Sequence, residues 1–394
     1  MPLSEPTQAA NSSRAANIAA NAAFVPIGMV TVLLGPMLPI LSARWSLNYG
    51  QAGSLFTAQF VASTFAVLLS GGLVSRLGFR FAINAGLLAM AVALAVLPLT
   101  SYFPGLACIA LYGAGLGLAV PAANLLVAEV NPTRRSAALN VLNFSWSVGA
   151  VACPFLVAAA ARGHHIALLL LVVAGFLLIV MLGIAAMPWQ AVEPTGADRK
   201  NAAPINWKVP AFRVLGSLFF LYVGMENAFG GWIASYAKGL ASFSPARAVM
   251  TPSFFYFALL MGRWLAPFLL RTIDDIKLAR AGLVVACAGM ASLLLSHSIL
   301  SVTVSVAIAG LGCSAVYPIT IALLSREFGA AASRVGSIMF TLGNLGGASL
   351  PWLVGYSSDR FGSLKLGLAV PLVAGVAMYA LYAAQWGSVS QKHS

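Results

Sequence analysis

Apolar runs long enough to cross a bilayer recur twelve times along the chain, separated by short polar breaks. They fall near residues 18–43, 48–74, 81–100, 104–130, 134–161 and 166–188, then 209–238, 247–272, 275–299, 300–326, 335–357 and 362–386. A membrane-crossing helix needs about 20 mostly apolar residues, and it must pair its own backbone groups because no water reaches them. The charge inventory agrees. Of 394 residues, 22 are basic and 9 acidic, or 8% charged, against about 25% in an ordinary soluble domain. So few charges cannot cover a water-facing surface of this size, and a chain this apolar does not stay disordered. A transmembrane β-barrel is not expected, because its strands alternate polar and apolar residues and would not give long apolar runs. The expected fold class is an all-α integral membrane protein with twelve transmembrane helices.

The net charge of +13 does not mark a nucleic-acid binder, because the basic residues sit singly or in pairs between apolar runs. That placement is typical of loop charges that set membrane orientation. An even number of spans puts both termini on one side. With the termini inside, 15 basic residues, among them Arg76, Arg80, Arg134, Arg135, Arg271, Lys277 and Arg326, fall on the inner side. Six fall outside: Arg44, Arg162, Lys238, Arg247, Arg360 and Lys365. Both termini are therefore expected in the cytoplasm, with the protein in the plasma (inner) membrane. Met1 to Asn17 lacks a basic stretch, short apolar core and small-residue cleavage site, so it reads as a cytoplasmic tail.

Enzyme chemistry finds little support. Cys108, Cys153, Cys287 and Cys313 lie inside apolar runs without metal spacing, and read as small buried hydrophobes. The histidines His164, His165, His297 and His393 are at loops or ends. The glycine run Gly113–Gly117 lies within an apolar span with no strand before it, unlike a dinucleotide loop. No metal or cofactor is expected.

Two halves are expected: residues 1–188, a cytoplasmic linker at 189–208, and residues 209–394. The linker holds Glu193, Pro194, Asp198, Arg199, Lys200 and Pro204. A repeat supports the division. At a shift of 197 residues Pro121 meets Pro318, Gly149 meets Gly346, Pro154 meets Pro351, Leu156 meets Leu353 and Val157 meets Val354. Parallel repeats of this kind build a transporter from two similar bundles, with the substrate between them near mid-membrane.

The break after the second run reads Gly71-Gly72-Leu73-Val74-Ser75-Arg76-Leu77-Gly78-Phe79-Arg80. With the six-plus-six plan, it resembles the major facilitator superfamily, whose signature there is a glycine, an Asp-Arg pair and Gly-x-Arg/Lys. Gly71 or Gly72, Arg76, Gly78 and Arg80 fit, and Ser75 replaces the acid that helps latch the halves in the family. The stretch Tyr222-Val223-Gly224-Met225-Glu226 with Gly231-Trp232, and Leu350 to Gly355 with Ser358 to Gly362, are similar to the fucose–galactose–glucose proton symporter branch. Against that branch, the first run has no carboxylate, and the fourth has none until Glu129.

Polar groups in hydrocarbon are costly and usually face a bundle interior. Eight of the nine acids sit in tails, loops or helix ends, and only Glu226 lies well inside a span. It is about 17 residues into the seventh run, roughly 25 Å along a helix axis. It is the candidate proton-coupling carboxylate. Arg263, the one basic residue inside a span, is a candidate gating group with Arg76 and Arg80, or a snorkelling one. Asn140, Asn143 and Ser147 share one helical face, with Trp146 beside it. Amides offer donors and acceptors to hydroxyl pairs, and aromatic rings stack on a pyranose. The candidate substrate set is Gln59, Asn124, Asn140, Asn143, Trp146, Tyr222, Asn227, Tyr256, Tyr317 and Asn344. Bland helix–helix hydrogen bonding is the competing reading for each.

The expected function is a secondary transporter of a small polar solute, foremost a monosaccharide, by alternating access, with a proton as candidate coupling ion. The alternative is a proton-driven exporter of drugs or lipophilic metabolites, since Gly149 to Pro154 partly resembles an antiporter signature, with Cys153 in place of its second glycine. Expected partners are the sugar-like solute and the lipid bilayer, with no nucleic acid, and the protein is expected to be a monomer.

Overall fold

The computed structural model describes residues 5–187, 210–240 and 242–386. The expected linker at 189–208, and with it Arg199, Lys200 and Lys208, lies outside the described residues, as do the last residues including Lys392 and His393. All regular structure among the described residues is helical, and the chain makes twelve helical passes. The first, α1, runs Glu5–Val32 and resumes as Leu34–Trp45. Helices α2 and α3 share the stretch Tyr49–Val96 and are separated at Gly78, whose φ of 81° and ψ of 167° leave the helix. That left-handed φ favours a residue without Cβ, which is why this turn tolerates glycine best. Then follow α4 (Tyr102–Val130), α5 (Arg135–Arg162) and α6 (Ile166–Ala186).

In the second half, α7 is Pro210–Lys238 and α8 is Pro245–Met250 with Pro252–Leu269. Next come α9 (Asp275–Leu294) and α10 (Ile299–Cys313 with Val316–Phe328). Helix α11 is Ala332–Phe361, and α12 is Leu364–Gly367 with Ala369–Trp386. Eight stretches are long and apolar enough to span a membrane by length and composition, and one of these, Tyr49–Leu99 with 51 residues, carries two passes. Helices α7, α8 and α11 are not among those eight. They are the helices that hold Glu226, Arg263 and Asn344, and polar residues such as these lower their mean hydropathy.

Packing reproduces the repeat. Gly113 of α4 lies against the backbone of Gln59 in α2, and Gly310 of α10 against that of Phe255 in α8. Gly115 meets α3 at Gly86, and Gly312 meets α9 at Gly282 and Ala286. Gly149 of α5 touches the Val25 carbonyl in α1, and Gly346 of α11 touches the Phe220 carbonyl in α7. In membranes, small residues at such crossings let backbones approach, because helix association there rests on van der Waals contact. The same helix pairs thus meet at the same repeat positions in each half.

By packing, the chain forms two units: residues Met1–Leu33 with Ala58–Lys200, and residues Leu34–Thr57 with Asn201–Ser394. The second segment of α1 and the first turns of α2 therefore pack with the second half. Nothing in the hydropathy of the chain marks that exchange.

Candidate functional site

In the second unit the two charges that lie inside spans act on one cluster. Tyr222 and Glu226 are four residues apart on α7, so they project from one face. The Tyr222 side chain is buried, and its hydroxyl donates to the Cys313 carbonyl oxygen at 3.1 Å. That carbonyl closes the first segment of α10, just before the break at residues 314–315. The last carbonyls of a helix lack intrahelical partners, so the tyrosine supplies one across the helix boundary. The charge of the Glu226 carboxylate also acts on this phenol. Tyr317, the second residue of the second segment of α10, stacks on Tyr222 with ring centroids 5.1 Å apart and planes 23° apart. Phe219 closes the cluster edge-on to Tyr317 at 5.7 Å.

Arg263 of α8 exerts its charge on Tyr222, Cys313 and Tyr317, the same three groups that Glu226 acts on. Glu226, Arg263 and Tyr317 are each half-buried. The result is a carboxylate, a guanidinium and two phenols gathered at a helix break. Such a set can hold and pass a proton, accept from and donate to hydroxyls, and offer a ring face to an apolar sugar face.

The other candidates of the second unit make contacts of their own. The Asn227 amide donates to Val223 of its own helix at 2.8 Å. Tyr256 is 6% exposed, lies edge-on to Phe255 with centroids 5.2 Å apart, and places its hydroxyl over Gly230. Asn344 is half-buried on α11, beside Gly343, which packs on Val223 and Phe219 of α7.

In the first unit the candidates divide. Gln59 is 2% exposed, and its side-chain oxygen accepts from the Tyr112 hydroxyl at 3.1 Å, a bond between α2 and α4. The Asn124 amide donates to Val120 at 2.8 Å within α4. Asn140 and Asn143 are exposed on α5, and the Asn143 amide donates to Leu139 at 2.9 Å. Trp146 donates from its ring nitrogen to the Thr31 hydroxyl of α1 at 3.3 Å. Three partners were missed from sequence: Thr31, Asn21 and Ser145, whose hydroxyl donates to the Asn21 side chain at 2.8 Å. The spacing of Asn17 and Asn21 by one turn, midway along the first segment of α1, was the available signal.

The candidate gating arginines also separate. Arg80 donates to the Ala185 and Met187 carbonyls, at 3.3 and 2.6 Å, and so caps the end of α6. A cation there complements the negative end of the helix dipole. Arg76 is exposed, and the Ser75 hydroxyl donates to Gly72 at 2.9 Å.

The sequence profile of the Major Facilitator Superfamily matches residues 21–351. The chain is 21% identical over 386 residues to sodium-dependent glucose transporter 1A of Mus musculus, covering 88% of this chain and 90% of that protein. It is 22% identical over 362 residues to the glucose/mannose transporter of Bacillus subtilis strain 168, covering 86% of each. Among solved structures, the E. coli fucose:proton symporter superposes with a TM-score of 0.65 at 17% identity, over 94% of this chain and 98% of that one. The nucleoside transporter NupG superposes at 0.75 and 13% identity, over 94% and 99%. At these identities the structural likeness concerns the fold.

Proposed function

The chain belongs to the Major Facilitator Superfamily, and from that premise we propose that it carries a monosaccharide across the plasma membrane by alternating access, with Glu226 as its proton-coupling carboxylate. It is a membrane transporter and not an enzyme. The observation that carries the sugar and proton reading is the cluster at the α10 break, where Glu226, Tyr222, Tyr317 and Arg263 converge on three helices. It supplies the polar and aromatic groups that a pyranose needs, next to the one acid well inside a span. Relatives named as glucose, glucose/mannose and fucose transporters support the same substrate class. Asn140, Asn143, Trp146 and Asn344 supply further amide and ring contacts in this reading.

In the cycle, Glu226 takes up a proton with sugar at one face and gives it up once the cluster is hydrated from the other. In this reading Arg263, whose charge reaches the same two tyrosines, offsets the carboxylate once its proton has left. The six-helix halves divide at the 189–208 linker and move as two bodies, with both termini in the cytoplasm and a single chain as the working unit. Uptake of labelled glucose, mannose, galactose and fucose into proteoliposomes, with and without an inward proton gradient, tests the proposal. Uptake of at least one hexose that rises with the gradient is expected. No uptake of any hexose overturns the sugar reading, and uptake that follows a sodium gradient alone overturns the proton reading.

A further inference from the structure

Two cations near the start of α9 have no acid partner among the described residues. Arg280, the sixth residue of α9, is half-buried. Its guanidinium carbon lies 5.0 Å from the centroid of the Tyr379 ring of α12, and one N–H donates to the Tyr379 hydroxyl at 3.0 Å. A guanidinium has five N–H donors, and the other four meet no protein acceptor among the described residues. Lys277, one turn nearer the helix start, is exposed. No described carboxylate stands within ion-pair distance of either cation. The two neighbouring acids are engaged elsewhere. Asp274 caps α9 by accepting from the Ile276 and Lys277 amides, at 3.0 and 3.3 Å, and Asp275 pairs with Arg326 at 3.4 Å.

Beside these cations runs an exposed apolar strip. Helices α9 and α12 meet where Gly375 packs on Cys287, and again at Arg280 and Tyr379. Between those contacts stand Val284 of α9 and Val376 of α12, 55% and 57% exposed. Each residue of a helix turns by about 100° from the last. In this antiparallel pair the rotation brings Lys277, Val284, Val376 and Ala380 to one side of the contact line, and all four are exposed. Lys277 and Arg280 stand about 3 and 8 Å along the axis from the start of α9. That depth spans the polar layer of a bilayer and the rim of its hydrocarbon. A helical side chain points back toward its N-terminus, which carries the Arg280 guanidinium toward Lys277.

We propose that Lys277 and Arg280 hold the phosphate of an anionic phospholipid whose acyl chain lies on Val284 and Val376. Charge and shape select this partner together. Arginine binds a phosphate through two parallel N–H bonds, and Arg280 keeps donors for them while Tyr379 fixes the plane of the guanidinium. A soluble phosphate would meet the cations but leave the apolar strip uncovered, whereas one lipid molecule covers both. A zwitterionic lipid brings its own ammonium to the same place and gains less from two cations. Basic pockets between membrane helices hold anionic headgroups for these reasons. The bound lipid bridges α9 and α12 at the level of the Arg280–Tyr379 contact.

Lipid retention by the full-length protein tests the site. The protein in detergent is equilibrated with equal amounts of phosphatidylglycerol and phosphatidylcholine carrying the same chains, and bound lipid is measured by native mass spectrometry. The wild type is expected to prefer phosphatidylglycerol about twentyfold, from two cations at about fivefold each. Lys277→Gln should cut that preference about fivefold, equal to roughly 1 kcal/mol. Arg280→Gln should cut it further, because the paired bonds go with the charge, and Arg280→Lys should fall between Arg280→Gln and wild type. Lys277 is exposed, so its variant keeps the test clear should the Arg280 variants fold poorly. Arg271→Gln removes an exposed cation at the end of α8, outside the site, and should leave the preference unchanged. A preference unaltered by Lys277→Gln overturns the proposal. So does an equal loss in Arg271→Gln, which would mean unspecific attraction to surface charge. Displacement of phosphatidylglycerol by an equal concentration of glycerol phosphate also overturns it, since the cations would then take a soluble anion. The result does not depend on which solute is carried, so it stands or falls apart from the sugar reading.

Discussion

Glu226 and Arg263 lie on different helices, yet their charges converge on Tyr222, Cys313 and Tyr317. Changing them one at a time distinguishes coupling from support. Glu226→Gln keeps the size and one acceptor but cannot release a proton. It is expected to abolish proton-driven accumulation while sugar counterflow persists, measured in the same proteoliposomes. Accumulation that survives the change would remove Glu226 from the coupling step. Tyr222→Phe tests support instead. It leaves the Cys313 carbonyl without the hydroxyl that meets it, and a buried acceptor left unmet costs about 1–3 kcal/mol. A lower unfolding temperature in detergent is expected, and an unchanged one would show that the bond carries no stability. At this scale the sequence was legible where a residue was rare. One acid and one base inside spans stood out by cost alone. Residues that were common were not legible. Asn21, Thr31 and Ser145 look like ordinary membrane polars until α1 and α5 bring them together. Asp359 and Lys238 looked like loop charges because their partners, the Tyr49 and Gly50 amides and the Pro39 carbonyl, are backbone groups, which no composition reveals.

Helix crossings follow a rule that the glycines expose. A methyl added at Gly149 or Gly346 would strike a carbonyl of the facing helix, Val25 in one bundle and Phe220 in the other. The backbones must then separate, and overpacking of this kind costs about 1–3 kcal/mol. Gly149→Ala and Gly346→Ala are each expected to lower thermal stability and yield. At Gly175 on α6 an added methyl would meet nothing within 4 Å, and alanine there should hold or raise stability, since glycine costs a helix interior about 1 kcal/mol. Equal effects at all three positions would show that crossing distance is not what selects glycine. Twelve passes were legible because each is an apolar run bounded by polar residues. The interruptions of α1 at Leu33 and of α10 at residues 314–315 were not, because their proline and glycine neighbours also occur in helices that continue, such as α4 through Pro121.

The repeat at a shift of 197 residues joins positions that pack alike, as Gly113 with Gly310 and Gly115 with Gly312 do. That register was legible because close packing keeps glycine and proline where other residues drift. The passage of residues 34–57 to the second unit was not, since it depends on tertiary contacts that leave no mark on periodicity. Orientation in the membrane is the property of the whole chain that charge alone addresses. Loops near membrane ends retain Lys and Arg on the cytoplasmic side, and the sequence places 15 such residues on the side of the termini against 6 on the other. A fluorescent protein fused to either terminus should therefore fluoresce, and alkaline phosphatase fused there should be inactive, while phosphatase inserted near His164 in the α5–α6 turn should be active. The opposite pattern would invert the molecule. The fusion experiment thus decides on which side of the membrane the termini lie.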